Sequence, residues 1–114
     1  MTTDEKLLSL IGLANRARRL AIGRQAVSAG LQHKEADLVL LAGDAPSRLG
    51  DQLAAVDKVR LAFLPRSITK DVLGRILGRK PVAIIAVCDR HFADGILSLL
   101  PAVGQRRSAS HQQR

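Results

Sequence analysis

Tryptophan and tyrosine are absent from this chain, and phenylalanine occurs only twice. That absence excludes, as a main binding mode, a surface that stacks successive bases on aromatic rings in the manner of RRM-type or OB-type domains. It also leaves Leu, Val, Ile and Ala to build the core. The single cysteine, Cys88, excludes an internal disulfide, and with histidines only at 33, 91 and 111 no zinc-ligand spacing exists. No apolar run approaches the ~20 residues that cross a bilayer. Asp4, Glu5 and Lys6 stand where a signal peptide would carry its apolar segment, so a cytoplasmic protein with no membrane partner is expected. Acidic residues are scarce too: 10 Asp and Glu face 18 Lys and Arg, a net charge of +8. Such a balance favours a polyanion through long-range attraction and counterion release, without fixing any sequence preference.

The 114 residues, 46% of them apolar, suffice for one domain with one core. Thr2 and Glu5 have capping-box spacing, and Leu7, Leu10, Ile11, Ala14 and Ala17 recur at helical intervals, so a helix is expected over 3–18, with Arg16, Arg18 and Arg19 at its basic end. "LAIGRQAVSAG", 20–30, reads as a short apolar strand that turns at Gly23 into a second helix running to about His33. "ADLVLLAGD", 36–44, reads as a strand buried on both faces; a helix follows with Pro46 in its first turn and Leu49, Leu53 and Val56 at helical spacing. "VRLAFLP", 59–65, predicts a strand, Ser67 the cap of a helix through Leu73 and Leu77, and "PVAIIAVCD", 81–89, a further buried strand. Asp89 is the expected cap of a fifth helix. Helices and buried strands alternating at this interval give an α/β fold, a three-layer α/β/α sandwich over residues 1–100. Residues 101–114 turn polar and basic without apolar periodicity and are expected to be a disordered tail.

Catalytic constellations are lacking. "LGRILGRK", 73–80, has neither P-loop spacing nor a preceding strand, and the Gly23 stretch lacks the dinucleotide glycine series. Cys88, Asp89 and His91 crowd one strand end, where a nucleophile and a base could meet. A small buried Cys and a helix cap explain them more simply, since no second polar cluster completes a site. The sequence therefore points to no catalytic residue, no metal and no cofactor. Gly23 itself leaves three options open: a nucleotide, an RNA backbone, or merely a helix start, since free amides at a helix N-terminus accept phosphate.

In their order, "LLSLIGLANRAR", the glycine of "IGRQAV", "KEADLVLLAGDAPS" and "LGRILGRKPVAIIAVCD" resemble the ribosomal-protein superfamily typified by the archaeal kink-turn-binding protein L-seven-Ae. The small bacterial YlxQ-type members are the nearest in pattern, over roughly residues 6–100. The resemblance implies a small mixed sheet and a non-enzymatic protein of structured or ribosomal RNA, associated with the ribosome or with translation. Carried over by position, the implied RNA-binding residues are Gly23, Arg24 and Gln25, the loop from Asp44 to Arg48, and Arg79, Lys80, Pro81 and Val82, with Arg16, Arg18 and Arg19 adjoining. Arginine and lysine there neutralise phosphate, and Pro81 and Val82 offer apolar contact to an unstacked base. The kink-turn binders carry an Asn-Glu pair after the glycine and one intervening residue, followed by a lysine. This chain has Gln25, Ala26 and Ala29 instead, so the implied recognition is by charge and shape. The alternative partner is a protein docking on the same fold.

Overall fold

Thr2 opens the first helix, α1 (Thr3–Arg16), as its spacing predicts. Its hydroxyl accepts the Glu5 amide at 3.1 Å while the Glu5 carboxylate accepts the Thr2 amide at 2.8 Å, a complete capping box. The helix ends two residues before the expected boundary. Arg18 takes left-handed backbone (φ 60°), and the amides of Arg18 and Arg19 turn back to the carbonyls of Asn15 and Ala14, a Schellman closure. There follow β1 (Leu20–Ile22), α2 (Arg24–Gln32), β2 (Leu38–Leu41), α3 (Ser47–Ala54), β3 (Arg60–Phe63), α4 (Lys70–Leu77), β4 (Ile84–Val87), α5 (Arg90–Leu97) and β5 (Gln105–Arg107). The computed structural model describes residues 1–54, 59–101 and 105–107, the backbone alone at 53, 54 and 105–107. Val56, Lys58 and His111 fall outside the described residues.

The strands are shorter than the apolar runs that predicted them. Flanking residues leave the ladder to bond a neighbouring loop and a helix start: the Gly43 amide donates to the Ile68 carbonyl at 2.8 Å and the Val82 amide to the Lys70 carbonyl of α4 at 3.0 Å. Helix α4 is capped by Thr69, not by Ser67 as expected. The Thr69 hydroxyl accepts the Val72 amide at 3.2 Å, while Ser67 donates its own hydroxyl to the Asp4 carboxylate on α1. Asp89 caps α5 as predicted, accepting the Phe92 amide at 2.9 Å.

The strands form one mixed sheet in the order β1-β4-β2-β3-β5, with β2 and β3 parallel and the remaining pairs antiparallel. Alternation across the sheet builds two cores. Leu38, Leu40, Ile85 and Val87 pack with Leu7, Ile11, Leu73 and Ile96 of α1, α4 and α5. Val39, Leu41, Ile84 and Ala86 pack with Val27 of α2 and Leu49 of α3 on the opposite face. The fold is thus the expected three-layer α/β/α sandwich, each fully buried Leu or Ile contributing on the order of 2 kcal/mol. The expectation of a disordered tail is corrected at Gln105–Arg107, which pairs antiparallel with β3 from Arg60↔Arg107 to Ala62↔Gln105. An edge strand offers a row of amides and carbonyls that an extended segment satisfies whatever its polarity, which is why apolar periodicity did not show it.

Candidate nucleic-acid interface

Four loops meet at one end of the sheet, and backbone hydrogen bonds fix them to one another. The Gly23 amide donates to the Ile84 carbonyl at 3.0 Å, and the Ala42 amide to the Ala83 carbonyl at 2.9 Å. The Asp44 carboxylate accepts the Lys70 amide at 2.8 Å, which binds the β2–α3 loop to the start of α4. Gly23, at φ 88° and ψ 168°, occupies backbone space in which side chains are strained. Having no side chain, it leaves the start of α2 without a side-chain cap, and no acidic residue lies in the first turn. Helices α1, α4 and α5 are capped by Thr2, Thr69 and Asp89. The amides and partial positive charge at the head of α2 are therefore turned outward without a competing anion.

Across from this turn, α4 closes at Gly78 (φ 68°), with the Arg79 amide donating to the Gly74 carbonyl at 2.8 Å. A Cβ at Gly74 would lie 2.4 Å from the Lys80 carbonyl oxygen, so the absence of a side chain there lets the 79–80 backbone lie directly against the helix. Between the two walls runs an open groove of about 950 Å³. Ile22, Gly23 and Arg24 form one wall, Arg75, Arg79 and Lys80 part of the other, and Pro81, Val82 and Ala83 the remainder. Arg24, Arg75, Arg79 and Lys80 are all exposed. Cations from two separate elements thus rim a groove that contains apolar surface.

The structure brings Gly23, Arg24, Arg79, Lys80, Pro81 and Val82 together around this groove. Val82 is only 6% exposed and packs in the core with Leu73 and Ile85, so apolar contact to a ligand falls mainly to the exposed Pro81. Gln25 is exposed on the first turn of α2 and Arg48 on that of α3. Arg24 also lines a cleft of about 160 Å³ with Leu49 and Gln52, which carries the surface from α2 across to α3. Asp44 is engaged in holding α4. Arg75 is a groove residue that the sequence reading missed; its spacing of four from Arg79, at the end of the helix, is the signal that was available.

The expectation that Arg16, Arg18 and Arg19 adjoin Gly23 is corrected. Arg18 and Arg19 sit at the opposite end of β1, lining a separate depression of about 530 Å³ with Ala26, Ala29, Glu35 and Cys88. The three residues of β1 lie between Arg19 and Gly23, four steps of near-extended chain or about 13 Å. Arg16 is exposed on the last turn of α1. Burial pushes the Cys88 thiol above its usual range, and the nearby Glu35 and Asp37 carboxylates add to the effect, which is the wrong direction for a thiolate nucleophile. Among the described residues no cluster of His, Cys, Asp and Glu could hold a metal ion, and no helix is long and apolar enough to cross a membrane.

The model of the ribosomal protein L7Ae/L30e/S12e/Gadd45 family matches residues 5–96. RNA-binding protein YlxQ of Bacillus subtilis (strain 168) is 37% identical over 93 residues, covering 80% of this chain and 91% of that protein. Among solved structures, a protein of unknown function from Bacillus halodurans C superposes with a TM-score of 0.68 at 31% identity, covering 82% of this chain and 95% of its own. The Giardia lamblia 15.5kD RNA binding protein shares the fold with a TM-score of 0.58 at 18% identity, over 85% of this chain and 83% of its own. By the extent of the family match and the identity to the Bacillus subtilis relative, the chain belongs to the ribosomal protein L7Ae/L30e/S12e/Gadd45 family.

Proposed function

We propose that the chain is a non-enzymatic RNA-binding protein that holds structured RNA, ribosomal RNA included, against the groove at the head of α2, and that it acts in the cytoplasm in association with the ribosome or with translation. The reading rests on one observation: Arg24, Arg75, Arg79 and Lys80 rim a single groove beside a helix start whose amides carry no side-chain cap. Kinship with an RNA-binding protein from Bacillus subtilis supports it. A phosphate seated at the head of α2 accepts backbone amides, the four cations neutralise its neighbours, and Pro81 meets an unstacked base. Base reading is slight. Gln25 alone presents an amide there, and Ala26 and Ala29 offer neither an acceptor nor a charge. Affinity then follows charge and shape.

Titration of a structured ribosomal RNA fragment against salt tests this directly. With about four to six phosphates contacted, log affinity falls with log salt at a slope of about −4 to −5, and Arg24→Ala and Lys80→Ala each lower affinity and flatten the slope by about one. Circular dichroism of both variants should match the parent. Binding that ignores salt, or that survives both substitutions intact, refutes the reading.

A further inference from the structure

We propose that the open edge of β1 takes an extended acidic segment of another protein as an added antiparallel strand. Its backbone bonds Leu20 and Ile22, and its carboxylates meet Arg18 and Arg19 at one end and Arg24 at the other. This contact is independent of the RNA reading, which its failure would leave untouched.

The register of β1 carries the first part of the argument. The strand lies at the rim of the sheet with β4 on one side. Its pairing, Leu20↔Val87, Ala21↔Ala86 and Ile22↔Ile85, continues beyond both ends, where the Cys88 amide donates to the Arg19 carbonyl at 2.7 Å and the Gly23 amide to the Ile84 carbonyl at 3.0 Å. Bonded and non-bonded pairs alternate along an antiparallel ladder. With Arg19 and Gly23 bonded, Ala21 is bonded too, and Leu20 and Ile22 turn their amides and carbonyls away from β4. Among the described residues neither bonds a turn, loop or cap. Two donors and two acceptors therefore face outward, which is what an incoming strand requires. They are within reach, since Leu20 and Ala21 open onto the depression of about 530 Å³ and Ile22 onto the groove of about 950 Å³. At the opposite rim β5 covers β3; among the described residues nothing pairs with β1 in that way.

Charge selects the occupant. Arg18, Arg19 and Arg24 are all exposed and flank a strand of three residues. Glu35 is the only acidic residue lining the depression, so the excess at both ends is positive. A second copy fits poorly: antiparallel pairing of two β1 strands brings Arg18 and Arg19 of each against the Arg24 end of the other, and like charges meet twice. A tail bearing Arg106 and Arg107 repeats the conflict. An acidic segment reverses its sign. Leu20 and Ile22 share the sheet face that packs with α1, α4 and α5, so apolar residues directly opposite them extend that packing.

The probe is a peptide blocked at both ends, Glu-Glu-Val-Thr-Val-Glu-Glu, whose valines fall opposite Ile22 and Leu20. Amide hydrogen exchange of the full chain, followed by NMR, reads the edge directly. Without peptide, Leu20 and Ile22 should exchange faster than Ala21, and saturating peptide should slow both by about ten-fold or more. N-methylation of the two valines, whose amides point at β1, should weaken binding by about ten-fold or more, while N-methylation of the threonine, whose amide points away, should change it by less than about two-fold. Lysine in place of the glutamates should abolish binding, and Arg18→Gly combined with Arg19→Ala should weaken it by about three- to ten-fold. A valine-methylated peptide that binds as well as the unmethylated one, or exchange at Leu20 and Ile22 that the peptide leaves unchanged, overturns the proposal. Slowing of those two amides by a structured ribosomal RNA fragment but not by the peptide assigns the edge to RNA. Slowing that grows with protein concentration alone assigns it to a second copy. Either result overturns the proposal as well.

Discussion

Single atoms decide the shape of the groove. At Gly74 an added methyl group would meet the Lys80 carbonyl oxygen at 2.4 Å and the carbonyl carbon at 2.8 Å, and neither is a flexible side-chain end that could move aside. Gly74→Ala should therefore displace the 79–80 backbone, destabilise the protein by about 1–3 kcal/mol and lower RNA affinity along with stability. Gly12 makes the matched comparison, since it lies inside α1 with nothing within 4 Å of the position a Cβ would take. Gly12→Ala should raise stability by about 0.5–1 kcal/mol through helix propensity and leave RNA binding alone. Urea unfolding of the two variants beside the parent measures both signs. A stable, fully binding Gly74→Ala would show that the loop is not indexed to the helix by close contact.

At the scale of elements, the capping box of α1 gives a pH dependence whose sign follows from one carboxylate. The Thr2 amide, and then the Thr2 hydroxyl, hold the Glu5 carboxyl below its usual range. A depressed acid stabilises the folded state above its unfolded pKa and loses that contribution as pH falls through the folded value. Glu5→Ala should thus lower the melting temperature near neutral pH, and the difference from the parent should vanish in acid below the carboxylate range. Thermal melts at the two pH values check it; a gap that persists in acid would mean that the charge is not what matters.

How much of each element was legible depends on how local its determinants are. Thr2 with Glu5 and Asp89 with Phe92 lie three residues apart, so spacing alone places those helix starts. Ser67 and Thr69 are equally good caps on paper. What separates them is Asp4, 63 residues away, which takes the Ser67 hydroxyl, and no local pattern carries that contact. The split of the arginines was hidden for the same kind of reason. Only the length of β1 and the left-handed turn at Arg18 send Arg18 and Arg19 to one end of the sheet while Arg24 goes to the other. Gly23, Arg24, Arg79 and Lys80 could be placed beforehand because the glycines and the order of apolar runs align with a known family. Arg75 sits inside a helix, where such patterns mark only the glycine before it.

Over the whole molecule, a net charge of +8 acts on stability and on binding with opposite signs. Like charges repel within the compact state, and salt relieves the repulsion; the same salt erodes attraction to phosphate. Raising sodium chloride through the physiological range should therefore raise the melting temperature by a few degrees while RNA affinity falls. Parallel melts and titrations over one salt series show whether the two move apart. Arg60 bridges Asp94 at 3.0 Å and also donates to the Asp37 carbonyl at 3.2 Å, joining β3, α5 and the approach to β2. That clamp spans elements whose connection the chain makes only at long range.

Strand β4 lies between β1 and β2, so β1 finds its place in the sheet only through a segment some sixty residues downstream. On a translating ribosome, residues 20–22 therefore emerge long before the partner they dock against. The amide of Gly23 has no Ile84 carbonyl to meet until most of the domain has been synthesised. The turn at the head of α2 accordingly takes its final form late in biogenesis, and a nascent chain stalled before β4 carries its arginines without the scaffold that positions them.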